Sequence, residues 1–223
     1  MNSVITYIFG NGELLRDPVV ITPGVQYYVI TDNADIKSHV WNPIVVPRIK
    51  SLTVRDQVAA VKFNPFIIQS SKYLIIDSSH QIISNLRPIF DVIDQNTMCV
   101  KKHPKKVDIG TEISRWRAHR DMSQVHEKNI KQFLLNSNPD YSKFPIYEGC
   151  FIGISRSYLH MKLFLSTLYH LYLMRDTSRW FPSNQIVLSY FENMFLPDIK
   201  LMPVNTREYA IRYQHNTWKE VRE

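Results

Sequence analysis

Apolar and polar positions run in blocks along the first half of the chain. Ser3 to Phe9, SVITYIF, is almost wholly apolar, β-branched or aromatic and breaks at Gly10-Asn11-Gly12. Such a run reads as a buried strand entering a loop. Val25 to Asn33, VQYYVITDN, follows the turn signal Pro23-Gly24 and turns polar at Asp32, which predicts a second strand. Asn42 to Pro47, NPIVVP, predicts a short third. From Leu52 the period changes. Leu52, Val54, Val58, Ala59, Val61 and Phe63 form a helical stripe, with Arg55 and Lys62 two turns apart on one face. Pro65 ends or kinks that helix. Lys72 to Asp77, KYLIID, predicts the fourth strand, and Asn85 to Ile93 a short helix or turn. Strands alternating with helices predict an α/β fold with a mostly parallel central sheet.

The second half is less regular. A polar helix is predicted from about Ser123 to Leu135, ending at NSNPD, and a strand within Phe144 to Arg156 around Gly149 and Gly153. A long helix is expected over Ser157 to Met174, and another over Ser183 to Met194 with Ser183 as N-cap. DIKLMPV predicts one more short strand. No repeat, low-complexity stretch or linker divides the chain, so a single domain over 1–223 is the economical expectation.

Composition changes this picture little. Apolar residues at 44% and charged residues at 21% are ordinary for a soluble globular protein. A net charge of +7 points to anionic partners (nucleic acid, a membrane surface or a phosphorylated small molecule) or simply to a basic surface. The densest basic cluster, Lys101 to Lys106, contains Pro104 and reads as a solvated loop; no basic and aromatic motif of a nucleic-acid module accompanies it, so no nucleic-acid partner is expected. Cys99 and Cys150 form no CxxC pair, which favours a reducing, cytoplasmic setting. The start of the chain lacks signal-peptide character. The most apolar stretch, from Ser157, carries His160, Lys162 and His170, so it reads as a buried helix rather than a membrane span. The histidines show no HxxxH or HExxH spacing, which disfavours a zinc hydrolase.

Candidate chemistry lies at the strand ends, where open α/β sheets bind their ligands. The first strand ends at Gly10-Asn11, the second at Asp32-Asn33 and the fourth at Asp77-Ser78-Ser79-His80. Each alone also reads as a turn. Together, beside the Arg55 and Lys62 face, they predict a site.

In this setting IIDSSHQI resembles the DxD-bearing strand end of the nucleotide-sugar-dependent glycosyltransferases of the GT-A fold. The likeness is nearest to the small glycosyltransferase domains encoded by large algal viruses. It implies a sheet covered by helices on both faces, a nucleotide-binding half over about 1–100 and an acceptor-binding half over about 101–223. It implies a hexose or deoxyhexose moved from a nucleoside diphosphate sugar, with UDP the expected nucleotide, to a glycan or glycoconjugate acceptor. A divalent metal, Mn²⁺ or Mg²⁺, would sit on Asp77, with Ser79 where the family's second acid stands and His215 of YQHNTW completing the shell. A serine hydroxyl is a neutral and weaker ligand for such a hard cation.

The same resemblance places Asn11 in the loop that cradles the nucleoside and Asp32 beside the base or ribose. It puts Arg55 and Lys62 on the donor phosphates or sugar. Glu148 of YEGCFIGISR would be the base of an inverting enzyme, and Gln185 of SNQIVLSYF the residue beneath the sugar of a retaining one. Trp116 and Trp180 offer either an acceptor-sugar platform or ordinary core. Two rival readings are a non-catalytic nucleotide- or nucleic-acid-binding module, and a degenerate transferase fold kept for interaction.

Overall fold

The four apolar runs of the first half become four parallel neighbours in one sheet. In the computed structural model they are β1 (Asn2–Ile8), β2 (Val25–Thr31), β3 (Asn42–Val45) and β4 (Lys72–Ile76). The structure describes residues 1–10, 14–49, 54, 57–58, 62, 67–93, 99–103, 108–119, 123–155, 189–190, 200–201 and 205–213. Asn11, Arg55, Gln185, His215, Trp180, the side chain of Trp116 and the expected helix over 157–174 lie outside the described residues, as does most of the helix expected over 183–194.

The remaining elements are β5 (His80–Ile82), α1 (Arg87–Val92), β6 (Cys99–Lys102), α2 (Ile109–His119), α3 (Gln124–Ser137), β7 (Tyr147–Ser155), β8 (Lys200–Leu201) and β9 (Ala210–Arg212). Seven strands form the main sheet in the order β3-β2-β1-β4-β7-β6-β8. β1 is parallel to β2 and β4, β2 to β3, and β6 to β8, whereas β7 runs antiparallel to both β4 and β6. The α/β class and the mostly parallel sheet are as the pattern predicts. β5 and β9 pair as a separate antiparallel ribbon.

Burial on both sides explains why β1 and β4 are continuously apolar rather than alternating. Ile5, Tyr7, Tyr73 and Ile75 join Ile109 and Ile113 of α2 and Ile130 and Leu134 of α3 in one apolar cluster. Val4, Ile8, Leu74 and Ile76 join Ile89 and Phe90 of α1, with Leu86, in the other. Each fully buried aliphatic side chain contributes roughly 1.5–3 kcal/mol relative to exposure. Val54, Gln57, Val58 and Lys62 are helical, as the stripe predicts, and Val54 and Val58 pack on the first cluster. No helix among the described residues is long and apolar enough to cross a membrane.

Two expectations need correcting. Lys101 and Lys102, read as part of a solvated loop, belong to β6, because β7 supplies a hydrogen-bonding partner that the local sequence does not reveal. A helix over Ile109–His119, absent from the sequence reading, precedes the expected polar helix.

Candidate functional site

The order of the sheet reverses between β1 and β4: β2 and β3 lie on one side of β1, and β4 on the other. At such a switch point the connections leave in opposite directions and open a crevice beyond the carboxyl ends of the two strands. The residues that end β1, β2 and β4 converge there.

β1 gives way to Gly10, whose φ of 72° lies in the left-handed region that glycine adopts without a Cβ penalty. In that conformation the Gly10 N–H donates to both carboxylate oxygens of Asp32, at 2.9 and 3.2 Å. The acid that ends β2 is therefore held by backbone, with no lysine or arginine required to fix it. Beyond it the chain turns locally, the Asn33 N–H donating to Thr31 Oγ1 at 3.1 Å and the Asp35 N–H to Asn33 Oδ1 at 2.9 Å. An open cleft of about 260 Å³ is lined by Gly10, Asp32, Asn33 and Arg48. An acid and a basic side chain in one cleft suit a polar ligand that carries both donors and anionic groups. Arg48 was missed in the sequence because it follows a short edge strand and belongs to no motif.

The β4 end is organised differently. The Asp77 N–H continues the ladder by donating to the Cys150 carbonyl at 3.1 Å, and the Asp77 carbonyl accepts from the His80 N–H at 2.9 Å, which closes a turn. By strand alternation the Asp77 side chain shares the face of Tyr73 and Ile75, the face on which Val54 and Val58 pack. Lys62 lies on the same helical row and meets Asp77 there, Nζ to Oδ1 at 3.1 Å, with the side chains 11% and 20% exposed. Its ammonium also stands 5.2 Å from the centre of the Tyr7 ring. Gly149 lies beside it: a Cβ at that position would make an ordinary contact, 3.6 Å, with the Lys62 nitrogen. Lys62 and Asp77, expected at one site, are in contact.

Glu148 lies on the neighbouring strand with its own lysine. The register of β6 against β7 shifts between Val100 and Lys101, which sets Lys101 opposite Glu148. Irregularities of this kind re-aim side chains beside functional sites. Lys101 Nζ is 3.5 Å from Glu148 Oε2 and donates to Thr206 Oγ1 at 2.8 Å. The Cys150 thiol donates to Glu148 Oε2 at 3.7 Å. Burial, reinforced by the charges of Asp77 and Glu148 and opposed by those of Lys62 and Arg212, pushes that thiol up to about 12, so it stays protonated. Lys101, Thr206 and Cys150 carry no sequence signal, because only the sheet order brings them to Glu148.

Ser79 is 3% exposed, and its hydroxyl lies 3.2 Å from His80 Nδ1. The Ser79 carbonyl accepts from the Tyr213 N–H at 2.7 Å, and His80 pairs with Arg212 across the β5–β9 ribbon. The segment that leads to His215 is thereby tied beside the Asp77 turn, although His215 itself lies outside the described residues.

The fit of a divalent cation rests on Asp77. Its hard carboxylate oxygens suit Mg²⁺ or Mn²⁺. The Lys62 ammonium already stands against it as a cation, and the buried Tyr7 hydroxyl, in the ring beneath that lysine, has no hydrogen-bond partner among the described residues. No group of three or more His, Cys, Asp or Glu suited to a metal is assembled among the described residues. An ion here would be held by Asp77, with water or the oxygens of a bound ligand completing its shell.

No protein-family model matches the chain, and no curated protein matches its sequence.

Proposed function

We propose that this chain is a nucleotide-sugar-dependent glycosyltransferase with a GT-A arrangement, moving a hexose or deoxyhexose from a UDP-linked donor to a glycan or glycoconjugate acceptor. One observation carries the reading: the Asp32 cleft and the Lys62–Asp77 pair stand at the carboxyl ends of β2 and β4, the two strands that flank β1 at the switch point of a mostly parallel sheet. A nucleoside diphosphate has a donor-rich nucleoside and an anionic diphosphate, and the two halves of the crevice match those two chemistries.

In this reading Asp32, fixed by Gly10, accepts hydrogen bonds from the base or the ribose hydroxyls, and Asn11 borders the nucleoside. Lys62, with Arg55, faces the diphosphate. A divalent ion on Asp77 would supply further positive charge to the phosphate oxygens. The bond between the anomeric carbon and the diphosphate oxygen breaks with its electron pair going to that oxygen, and Lys62 stabilises the charge that develops. The acceptor hydroxyl oxygen bonds to the anomeric carbon and its proton passes to the Glu148 carboxylate, which Lys101 and Thr206 orient. Gln185 and a retaining course remain the other form of the same proposal. The engagement of Lys101 with Glu148 and Thr206 weighs against the nucleic-acid module, since it removes one cation from the supposed phosphate-binding run.

The reading is tested by incubating the protein with a panel of nucleoside diphosphate sugars and Mn²⁺ while following sugar release and Tm. Release from a UDP-sugar, a higher Tm with UDP and Mn²⁺, and loss of both in Asp77→Ala are expected. The absence of any Tm shift with every nucleoside diphosphate would overturn it.

A further inference from the structure

We propose that Lys62 is an internal counter-ion that competes with a divalent cation for Asp77, so that the cation and an anionic diphosphate load together. The inference rests on the donor reading above for the identity of the anion, but its geometry stands separately. Lys62 Nζ sits 3.1 Å from Asp77 Oδ1, within the space that a cation bound to that oxygen would occupy. Two cations cannot share it cheaply, because like charges this close repel even under the screening typical near a protein surface.

Asp32 and Glu148 are held differently. Asp32 is fixed by a backbone amide, which cannot move away without breaking the Gly10 turn. Glu148 is held by Lys101, which is itself anchored on Thr206. Lys62 lies at the end of a flexible four-carbon stem, beside Gly149 and above the Tyr7 ring. It can swing from Asp77 to a phosphate oxygen without disturbing the sheet. An ion arriving alone adds two positive charges beside the Lys62 ammonium, whereas an ion arriving with a diphosphate brings anionic charge with it. By linkage, whatever the diphosphate does to cation affinity the cation does to diphosphate affinity.

Mn²⁺ binding, read from the electron paramagnetic resonance of free Mn²⁺, tests this without any turnover. Wild type, Lys62→Gln, Lys62→Arg and Lys101→Gln are titrated with and without UDP, after circular dichroism confirms that each is folded. Without UDP, Lys62→Gln is expected to bind Mn²⁺ about tenfold more tightly than wild type, while Lys62→Arg and Lys101→Gln stay within about twofold. UDP should tighten Mn²⁺ binding in wild type and do so much less in Lys62→Gln. Equal or weaker Mn²⁺ binding by Lys62→Gln, or the same tightening in Lys101→Gln, overturns direct competition. UDP that binds wild type yet leaves its Mn²⁺ affinity unchanged overturns the coupling. UDP that binds no variant, alongside tighter Mn²⁺ binding in Lys62→Gln, upholds the competition and overturns the donor reading instead.

Discussion

The two ends of the crevice hold their acids by opposite means. At the β1–β2 end, Asp32 is fixed by a glycine amide and faces an open cleft. At the β4–β7 end, Asp77 and Glu148 each face a lysine, with the Cys150 thiol linked to both by charge. A backbone amide gives an acid one geometry and leaves its charge for a ligand. A lysine neutralises its acid, yet its flexible stem lets the pair dissolve when a stronger partner arrives. The first arrangement suits recognition, and the second suits a change of charge during binding and reaction.

Cys150 gives the largest effect by which this contrast can be broken. With the thiol pushed up to about 12, its alkylation at pH 8 should be about a thousandfold slower than that of the denatured chain. Because burial is the leading cause, Asp77→Ala and Glu148→Gln should leave it slow; fast labelling in the native state would show that this end is not closely packed. Next comes Gly153, whose added Cβ would lie 2.7 Å from Ile93 Cγ1 and 3.2 Å from Cys99 Cβ. Gly153→Val should therefore cost about 1–3 kcal/mol in denaturant unfolding. A neutral result would mean that β7 is not pressed against Ile93.

A double-mutant cycle of Glu148→Gln and Lys101→Met sharpens the contrast on a smaller scale. Coupling of about 1 kcal/mol in stability is expected for a pair in contact, and additivity would remove Lys101 from its proposed role. The smallest effect is a control outside both ends. The Lys131 hydrogen bond, helped by Arg117 and opposed by burial, holds the Glu127 carboxyl below its ordinary 4.5. A lowered native value means that this carboxylate stabilises the fold above that range and loses its contribution as pH falls through it. The stability gap between wild type and Glu127→Gln should shrink on acidification from pH 6, with nucleotide binding unchanged.

How far the sequence reading reached follows from what each residue depends on. β1, β2, β4 and β7 were legible because their apolar, β-branched runs are long and end at polar turns. β6 was not, since Cys99-Val100-Lys101-Lys102 pairs only through β7 and the basic run beside it mimics a loop. α2 was missed because a largely polar segment anchors itself chiefly through Ile109 and Ile113. At the site, Asp32 and Asp77 were visible as strand ends, and Lys62 through its helical spacing. Arg48, Tyr7, Lys101 and Thr206 were invisible, because sheet order and register create their contacts rather than any local pattern.

Calorimetric titration of UDP into wild type, Asp32→Ala and Asp77→Ala, each with and without Mn²⁺, tests the central claim most directly. The account predicts saturable binding to wild type and a loss of about tenfold or more in Asp32→Ala under both conditions. Asp77→Ala should lose affinity mainly when Mn²⁺ is present. UDP binding that is equal in all three proteins, or absent from wild type, would contradict a nucleotide site at this switch point.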